Sequence, residues 1–212
     1  MHITSITPHK FKKGYYRIRL DTGSTITLSE ETIIALHLTP NKTLTSEDIK
    51  AIRAQETRFS AFSTACNLLS YRARSVKEIK QRLKAKKHSD HDIRITTEKL
   101  KSLGYVNDDE FARQWVSSRK IQNKGKALIK AELVQKGISA ESIALAIEGM
   151  YRSPDEERRQ VMAFAKKKAA QWKNVDTRTL SARLMRYLAG RGFSIEVVYD
   201  VVGKVIGANE DD

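Results

Sequence analysis

The first thirty residues alternate between apolar and polar positions, a pattern of period two that is typical of short β-strands. Ile18, Leu20, Ile26 and Leu28 recur at every second position, and the turn-forming stretch 21–24 separates the two runs. Three short strands are only marginally stable alone. The pattern therefore predicts a small antiparallel β-unit that packs on the helix following it.

The spacing of apolar residues then changes to three and four, which is typical of amphipathic α-helices. A short helix is predicted over 29–38 and ends before Pro40. Thr45 and Asp48 have the spacing of a capping box and predict the start of a long helix that continues to about residue 71.

The rest of the chain contains an internal repeat. Its shared pattern is two apolar residues one helical turn apart, a helix stop, a serine cap and an apolar residue on the next helix. The three copies are Ile79, Leu83, Lys87, Ser89 and Ile93; Ile129, Leu133, Gly137, Ser139 and Ile143; and Leu184, Leu188, Gly192, Ser194 and Val198. A further amphipathic helix precedes each copy, so the period corresponds to a three-helix unit of roughly fifty residues.

These observations predict a mainly α-helical protein. We expect three tandem three-helix, helix-turn-helix-like repeats in an elongated curved array, because each unit is too small to bury its own apolar face. A small N-terminal antiparallel β-unit precedes them. The predicted boundaries are 1–44 for the β-unit with its short helix, 45–105 for repeat 1 with its long entry helix, 106–152 for repeat 2, 153–208 for repeat 3 and 209–212 for an acidic tail.

The joint between repeats 1 and 2 is very short. Gly104 suits the left-handed position that ends a helix, and Asn107 or Asp108 can cap the next one. We predict that Gly104, Tyr105, Asp108 and Phe111 form an inter-repeat hinge. In this interpretation Gly104 and Tyr105 make the close contact between the repeats, and the hinge sets the angle between them.

Aromatic residues carry two further expectations. Trp115 and Trp172 lie on apolar helix faces and are expected in the core. Tyr71, Tyr105 and Tyr151 lie near repeat boundaries, where packing between repeats is the ordinary role and stacking on nucleic-acid bases is the sharper alternative.

The chain is strongly basic. It has 39 Lys and Arg against 25 Asp and Glu, a net charge of +14 and a pI near 9.8, which indicate a polyanionic partner or an acidic protein surface. A single lysine is usually a solvated residue of a helix face, but few acids interleave this set. The candidate residues for filament or DNA binding are Arg72, Arg74, Lys77, Lys80, Lys84, Arg113, Arg119, Lys120, Lys124, Lys126, Lys130, Lys166, Lys167, Arg183 and Arg186.

No constellation for catalysis, metal binding or cofactor binding is evident. Cys66 is the single cysteine, and the five histidines lack partners at metal-ligand spacing. The segment 124–126 lacks the upstream glycine and the following Ser or Thr of a phosphate-binding loop. An enzyme is therefore the weaker class. The chain has neither a targeting segment nor an apolar run long enough to span a bilayer, so we expect a soluble cytoplasmic protein without membrane contact.

Several motifs together resemble a known family. The segments 68–69, 72–75, 104–112, 132–133 and 136–138 are similar in residue type and order to those of RecX, the regulatory protein of the bacterial RecA recombinase. The similarity is clear from about residue 65 to residue 147 and weaker in the third repeat. Lys87 departs from the pattern because the family usually has a helix-ending glycine there, which leaves the geometry of this first turn open.

The resemblance implies three tandem three-helix repeats, which the internal offsets predict independently. It also implies a function: binding in the groove of the RecA filament on single-stranded DNA, with inhibition of ATP hydrolysis and strand exchange. We expect the protein to be a monomer. This activity would belong to homologous recombination, DNA repair and the SOS response. Duplex DNA is a second candidate partner.

The rival hypothesis is a helix-turn-helix regulator that reads duplex DNA. Such a protein carries Asn, Gln or Arg side chains at the start of its recognition helix. The last helix of each repeat instead begins with acidic or apolar residues, at 90–92, 140–142 and 195–197. Acidic residues at these positions would be repelled by the phosphates that line a DNA groove, which disfavours this hypothesis. A nuclease is a third class, which metal-dependent cleavage of DNA by the purified protein would support.

Overall fold

The computed structural model describes residues 1–151, 153–172 and 175–207. These residues form two compact units. The first comprises residues 1–74 and 78–106, and the second comprises residues 75–77 together with the described residues from 107 onwards. The boundaries of the three sequence repeats stay predictions, and the expected acidic tail, 209–212, lies outside the described residues.

The N-terminal sheet is antiparallel, in the order β1-β2-β3. Its strands are β1 (Ile3–Pro8), β2 (Tyr15–Leu20) and β3 (Thr25–Ser29). Ile18 lies opposite Ile6 on one side and Ile26 on the other, and it is fully buried. The apolar side chains of the sheet share one core cluster with Ile49 and Ile52 of the long helix that follows, so the predicted packing of the β-unit on that helix is confirmed.

Four helices complete the sequence of elements up to residue 102. They are α1 (Glu30–Ala35), α2 (Ser46–Tyr71), α3 (Val76–Ala85) and α4 (Asp90–Ser102). The predicted capping box at the start of α2 is present, because the Thr45 hydroxyl accepts from the Asp48 N–H while the Asp48 carboxylate accepts from the Thr45 N–H.

The second unit contains six further helices within its described residues. They are α5 (Asp108–Ile121), α6 (Lys126–Gln135), α7 (Ala140–Met150), α8 (Pro154–Ala169), α9 (Thr177–Gly190) and α10 (Ile195–Gly207). Two core clusters form, one from α5 to α7 and one from α8 to α10. Leu133 and Leu188 hold equivalent repeat positions and are both fully buried. The mainly helical fold with three-helix repeats is therefore confirmed.

The helix stops of the three repeats share one geometry. Lys87, Gly137 and Gly192 have φ angles of 65°, 78° and 83°. After each, the next residue donates its N–H to the last buried leucine of the preceding helix, as His88 does to the Leu83 carbonyl. Lys87 thus adopts the left-handed conformation that glycine adopts in the other two repeats. The first turn is not altered by the missing glycine.

The expectations about aromatic packing hold only in part. Tyr71 and Tyr105 are 85% and 58% exposed, so they are not packed as expected, whereas Tyr151 is buried. Trp115 and Trp172 lie at the edges of the two core clusters and are only partly buried. The tyrosines differ because Tyr151 ends α7 and packs onto that core, whereas Tyr71 ends α2 in an exposed turn.

None of the described helices combines the length and the apolar character that a membrane-spanning segment requires.

Candidate functional site

The N-terminus of α6 is capped by another part of the backbone. Gly125 has no side chain, and its N–H donates to the Arg191 carbonyl at 2.8 Å, while the Ala127 N–H donates to the Gly192 carbonyl at 3.1 Å. A Cβ atom at residue 125 would overlap the Gly192 backbone. Gly125 is therefore required for close approach of the α6 start to the turn after α9, and segment 124–126 has a structural role.

The start of α3 is held in a similar way. The Ser75 hydroxyl donates to the Lys136 carbonyl at 2.7 Å, and the Val76 N–H donates to the Asp108 carboxylate at 2.9 Å. The methylene chain of Lys77 lies where a Cβ of Gly137 would fall, 2.5 Å from its Cδ. Ser75 and Lys136 hold the same repeat positions as Gly125 and Arg191, so one type of contact occurs twice in this unit.

The predicted hinge residues have separate environments. Gly104 has a φ of 71° and ends α4, as predicted, and no atom lies within 4 Å of a Cβ built there. Tyr105 is exposed. Asp108 caps α3, whereas α5 is capped by Asn107 through its side-chain oxygen. Phe111 is buried and stacks on Trp115 with 5.6 Å between ring centroids. The hinge itself stays a prediction.

Glu132 gathers three of the basic and aromatic side chains near α5. Its carboxylate accepts from Arg119 Nε at 2.7 Å, Lys124 Nζ at 2.8 Å and Trp115 Nε1 at 2.8 Å. Burial alone would raise the pKa of Glu132, but these hydrogen bonds outweigh it and hold the pKa below its ordinary value. Arg119 and Lys124 are thus engaged within the protein.

Tyr151 organises a second cluster. Lys120 and Lys126 lie over its ring, with Nζ 4.7 and 4.8 Å from the centroid. These lysines also pair with Glu156 and Glu157 on α8 at 2.6 and 2.7 Å. Burial, with the charges of Glu157 and Glu156, raises the pKa of Tyr151 to about 12. The two lysines therefore contribute to packing between α5, α6 and α8.

Several candidates of repeats 1 and 2 are likewise engaged. Arg72 makes a two-pronged contact with Glu78, at 3.1 and 3.3 Å. Arg74 donates to the Leu68 carbonyl, and burial, followed by the charge of Arg72, lowers its pKa. The other two pairs are Lys84 with Asp90 at 3.7 Å and Arg113 with Glu110 at 2.7 Å.

The other candidates are exposed side chains for which the described part of the chain supplies no ion-pair partner. They are Lys77, Lys80, Lys130, Lys166, Lys167, Arg183 and Arg186. Sequence reasoning could not separate this subset from the engaged one, because most of the acidic partners lie on other helices, as Glu132 and Glu156 do.

Arg183 and Arg186 line a cleft of about 670 Å³ in the second unit. Trp172, Tyr187 and Gly190 also line it. The sequence interpretation assigned Trp172 to the core and did not single out Tyr187 or Gly190. One feature of the sequence pointed to a different role for Trp172. It lies just beyond the end of α8, where the helix no longer directs a side chain towards the core.

Metal binding has no evident location within residues 1–151, 153–172 and 175–207, where no three His, Cys, Asp or Glu side chains come together. Burial raises the pKa of the Cys66 thiol, which disfavours its nucleophilic thiolate form.

The fold and these basic surfaces define a helical-repeat protein built from three-helix domains. Family models for the first, second and third three-helix domains of RecX match residues 61–106, 107–147 and 155–202. The chain belongs to the RecX family.

Individual relatives agree over most of the length. The regulatory protein RecX of Leuconostoc mesenteroides is 30% identical over 99% of this chain and 78% of its own length. That of Bacillus subtilis is 29% identical over 99% of this chain and 79% of its own. A crystal structure of a regulatory protein RecX has a TM-score of 0.76 at 25% identity, covering 96% of this chain and 98% of that one.

Proposed function

We propose that this protein is a non-enzymatic modulator, mainly an inhibitor, of the RecA recombinase. In this proposal it binds as a monomer in the groove of the cytoplasmic RecA filament on single-stranded DNA. It restrains ATP hydrolysis and strand exchange there, and so acts in recombination, DNA repair and the SOS response. Similarity to proteins called regulatory protein RecX supports a regulatory role.

The observation that carries the proposal is the recurrence of one exposed lysine. Lys80 and Lys130 each follow a fully buried isoleucine, Ile79 or Ile129, at the same position of the repeat. Neither has an ion-pair partner among the described residues. The third repeat has Met185 at this position, so the cation is shared by the first two repeats. A cation at equivalent positions of two successive repeats suits a partner that is itself periodic and anionic, as a filament of identical subunits on DNA is.

The two lysines are also suited to this role by what surrounds them. The preceding isoleucine, Ile79 or Ile129, is buried in the core and fixes the rotation of its helix. The lysine side chain therefore leaves the helix in a defined direction. Both side chains are exposed to solvent, so their ammonium groups are accessible to a phosphate or a carboxylate. Binding through them should weaken as salt increases.

The rival duplex-reading regulator has less support. Asp90, Glu141 and Glu196 lie in the first turns of α4, α7 and α10, where a recognition helix would meet DNA phosphates. Like charges at that position would oppose entry into the groove.

The test measures DNA-dependent ATP hydrolysis by RecA with substoichiometric amounts of this protein. The wild type should inhibit the hydrolysis. The double variant Lys80→Glu with Lys130→Glu should need at least about tenfold more protein for half-maximal inhibition, because two attractive contacts become repulsive. The salt dependence of its inhibition should also be weaker.

A matched control has the same change in net charge. Lys50 and Lys204 are exposed and already paired on their own helices, with Glu47 at 3.8 Å and Asp200 at 2.8 Å. Lys50→Glu with Lys204→Glu should inhibit like the wild type. Equal inhibition by all three proteins would refute the role of Lys80 and Lys130, and an absence of inhibition by the wild type would refute the proposed function.

A further inference from the structure

The cleft beside α9 has an unusual set of walls. Trp172 and Tyr187 contribute aromatic surface, and Leu128 adds aliphatic surface. The two rings meet nearly at right angles, with an interplanar angle of 82° and 5.9 Å between centroids. Arg183 and Arg186 are exposed on the same helix, three residues apart, and line the same cleft. The site therefore combines an aromatic corner with two arginines.

The two tryptophans of the chain differ in availability. Trp115 is covered by Arg119 and Lys136, each 4.1 Å from its ring, and it stacks on Phe111. Trp172 has an edge contact with Tyr187, and none of the cations in the described part of the chain lies over its ring. Trp172 is therefore the tryptophan that contributes ring surface to a cleft.

The walls of the cleft are held in place by internal contacts. Tyr187 stacks on Phe164, and Arg191 donates to the Tyr187 hydroxyl and to the Gln122 carbonyl. Lys124 is bound to Glu132. Arg183 and Arg186, in contrast, have no ion-pair partner among the described residues. The cleft is thus preorganised, with two guanidinium groups available for a ligand.

We propose that this cleft binds one nucleotide of a single-stranded nucleic acid. The base lies against Trp172, and Arg183 and Arg186 bind the phosphates on either side of it. Base stacking on an aromatic ring requires an unpaired base, so a duplex does not fit. The cleft volume of about 670 Å³ lies in the range of small-ligand sites. An acidic peptide would pair with the arginines but leave the indole surface unused.

This inference rests on the proposed function in one respect: the single-stranded nucleic acid would be the DNA strand of the RecA filament. The cleft can be tested without RecA. Fluorescence anisotropy of a labelled oligodeoxythymidylate would report binding by the wild-type protein. An abasic oligomer of the same length retains the phosphates and lacks the bases. The wild type should bind the oligodeoxythymidylate about tenfold more tightly than the abasic oligomer, and also more tightly than a duplex.

Gly190 provides a variant that blocks the cleft. It lines the cleft at the end of α9, and no atom lies within 4 Å of a Cβ built there. Gly190→Phe should fill the cleft without displacing the core. This variant should therefore bind the oligodeoxythymidylate and the abasic oligomer with about equal affinity. Gly203 in α10 is equally open and outside the cleft, so Gly203→Phe should bind like the wild type.

Two results of these binding measurements would overturn the proposal. Equal wild-type affinity for the oligodeoxythymidylate and the abasic oligomer would overturn the proposal by showing phosphate contact alone. Unchanged binding by Gly190→Phe would overturn it too. Because the wild-type abasic comparison needs no variant, the test does not depend on how Gly190→Phe folds. Wild-type inhibition of RecA, measured separately, distinguishes failure of the cleft from failure of the proposed function.

Discussion

The backbone N–H of Gly125 donates to the carbonyl oxygen of Arg191 at 2.8 Å. This bond joins the first turn of α6 to the turn that ends α9, so the start of one helix is capped by the stop of another. Ser75 and Lys136 make the corresponding contact at 2.7 Å. The helix stop after α9 therefore has a second role as the cap of α6, and the stop after α6 anchors the residue that precedes α3.

The first prediction concerns Gly125. Its φ of −79° suits any residue, but a Cβ would overlap the Gly192 backbone. Gly125→Ala should reduce the free energy of unfolding by about 2–4 kcal/mol, because the two segments must separate and the capping bonds lengthen. Urea denaturation of the full chain measures the change.

Gly149 is the control for this substitution. It lies in α7 with no atom within 4 Å of a built Cβ. Gly149→Ala should leave the stability equal or increase it by up to about 1 kcal/mol, because alanine favours the helix. If both variants have wild-type stability, the close approach at Gly125 is not important.

The second prediction compares two equivalent helix stops. Gly137 has a φ of 78°, and a Cβ there would lie 2.5 Å from the Cδ of Lys77. Gly137→Ala should therefore cost about 2 kcal/mol, from both backbone strain and the displaced lysine. Thermal and urea unfolding would measure this loss.

Lys87 supplies the reverse substitution. It holds a φ of 65° with a side chain, so Lys87→Gly removes the strain of the left-handed conformation but gives the unfolded chain more freedom. The net effect should be less than about 1 kcal/mol in either direction. A large loss of stability in Lys87→Gly would contradict the assigned turn geometry.

The third prediction concerns pH and Glu132. Glu132→Gln leaves Arg119 and Lys124 without their carboxylate and should cost about 1–2 kcal/mol at neutral pH. The hydrogen bonds from Lys124, Arg119 and Trp115, which outweigh the opposing effect of burial, hold the pKa of Glu132 below its ordinary value. Its stabilisation is therefore complete above the ordinary glutamate pKa and is lost as the pH falls through the lowered value.

The stability difference between wild type and Glu132→Gln should accordingly shrink below about pH 4. Unfolding midpoints measured across the acid range would follow it. Glu110 also accepts from an arginine, Arg113, but on the surface of α5, so Glu110→Gln should shift the midpoint little. A constant difference for Glu132→Gln at every pH would exclude the ionised carboxylate as the source of the effect.

The fourth prediction tests the repeat core. Leu133 is fully buried, whereas the next residue, Val134, is 56% exposed. Leu133→Asp should abolish the cooperative unfolding of the α5–α7 cluster, because it buries a charge without a partner. Val134→Asp introduces the same side chain and should retain the transition, which circular dichroism would detect. Similar behaviour of the two variants would place Leu133 outside the core.

The local signals in the sequence identified most of the helices and their ends. The offsets shared by Leu83, Leu133 and Leu188 predicted three buried equivalents, and all three are fully buried. Helix stops were readable because glycine and serine act on their immediate neighbours. Lys87 shows the limit of that reasoning, since the surrounding turn imposes a conformation that its residue type does not favour.

The candidate site was less predictable. Lys120 pairs with Glu156, and Lys126 with Glu157, from a different helix. The sequence supplied the net positive charge but not the pairing, because an ion pair depends on distance in space. Likewise Trp172 belongs to an apolar pattern, yet it lines a cleft that exists only once α9 has packed beside it.

The sequence by itself determined the helical period, the caps, the three repeats and the excess of positive charge, because each follows from local spacing or composition. The tertiary structure decided which helix starts are capped by distant carbonyls and which lysines and arginines are engaged. The physical reason is that hydrogen bonds and ion pairs act over a few ångströms, whereas their partners here are far apart along the chain.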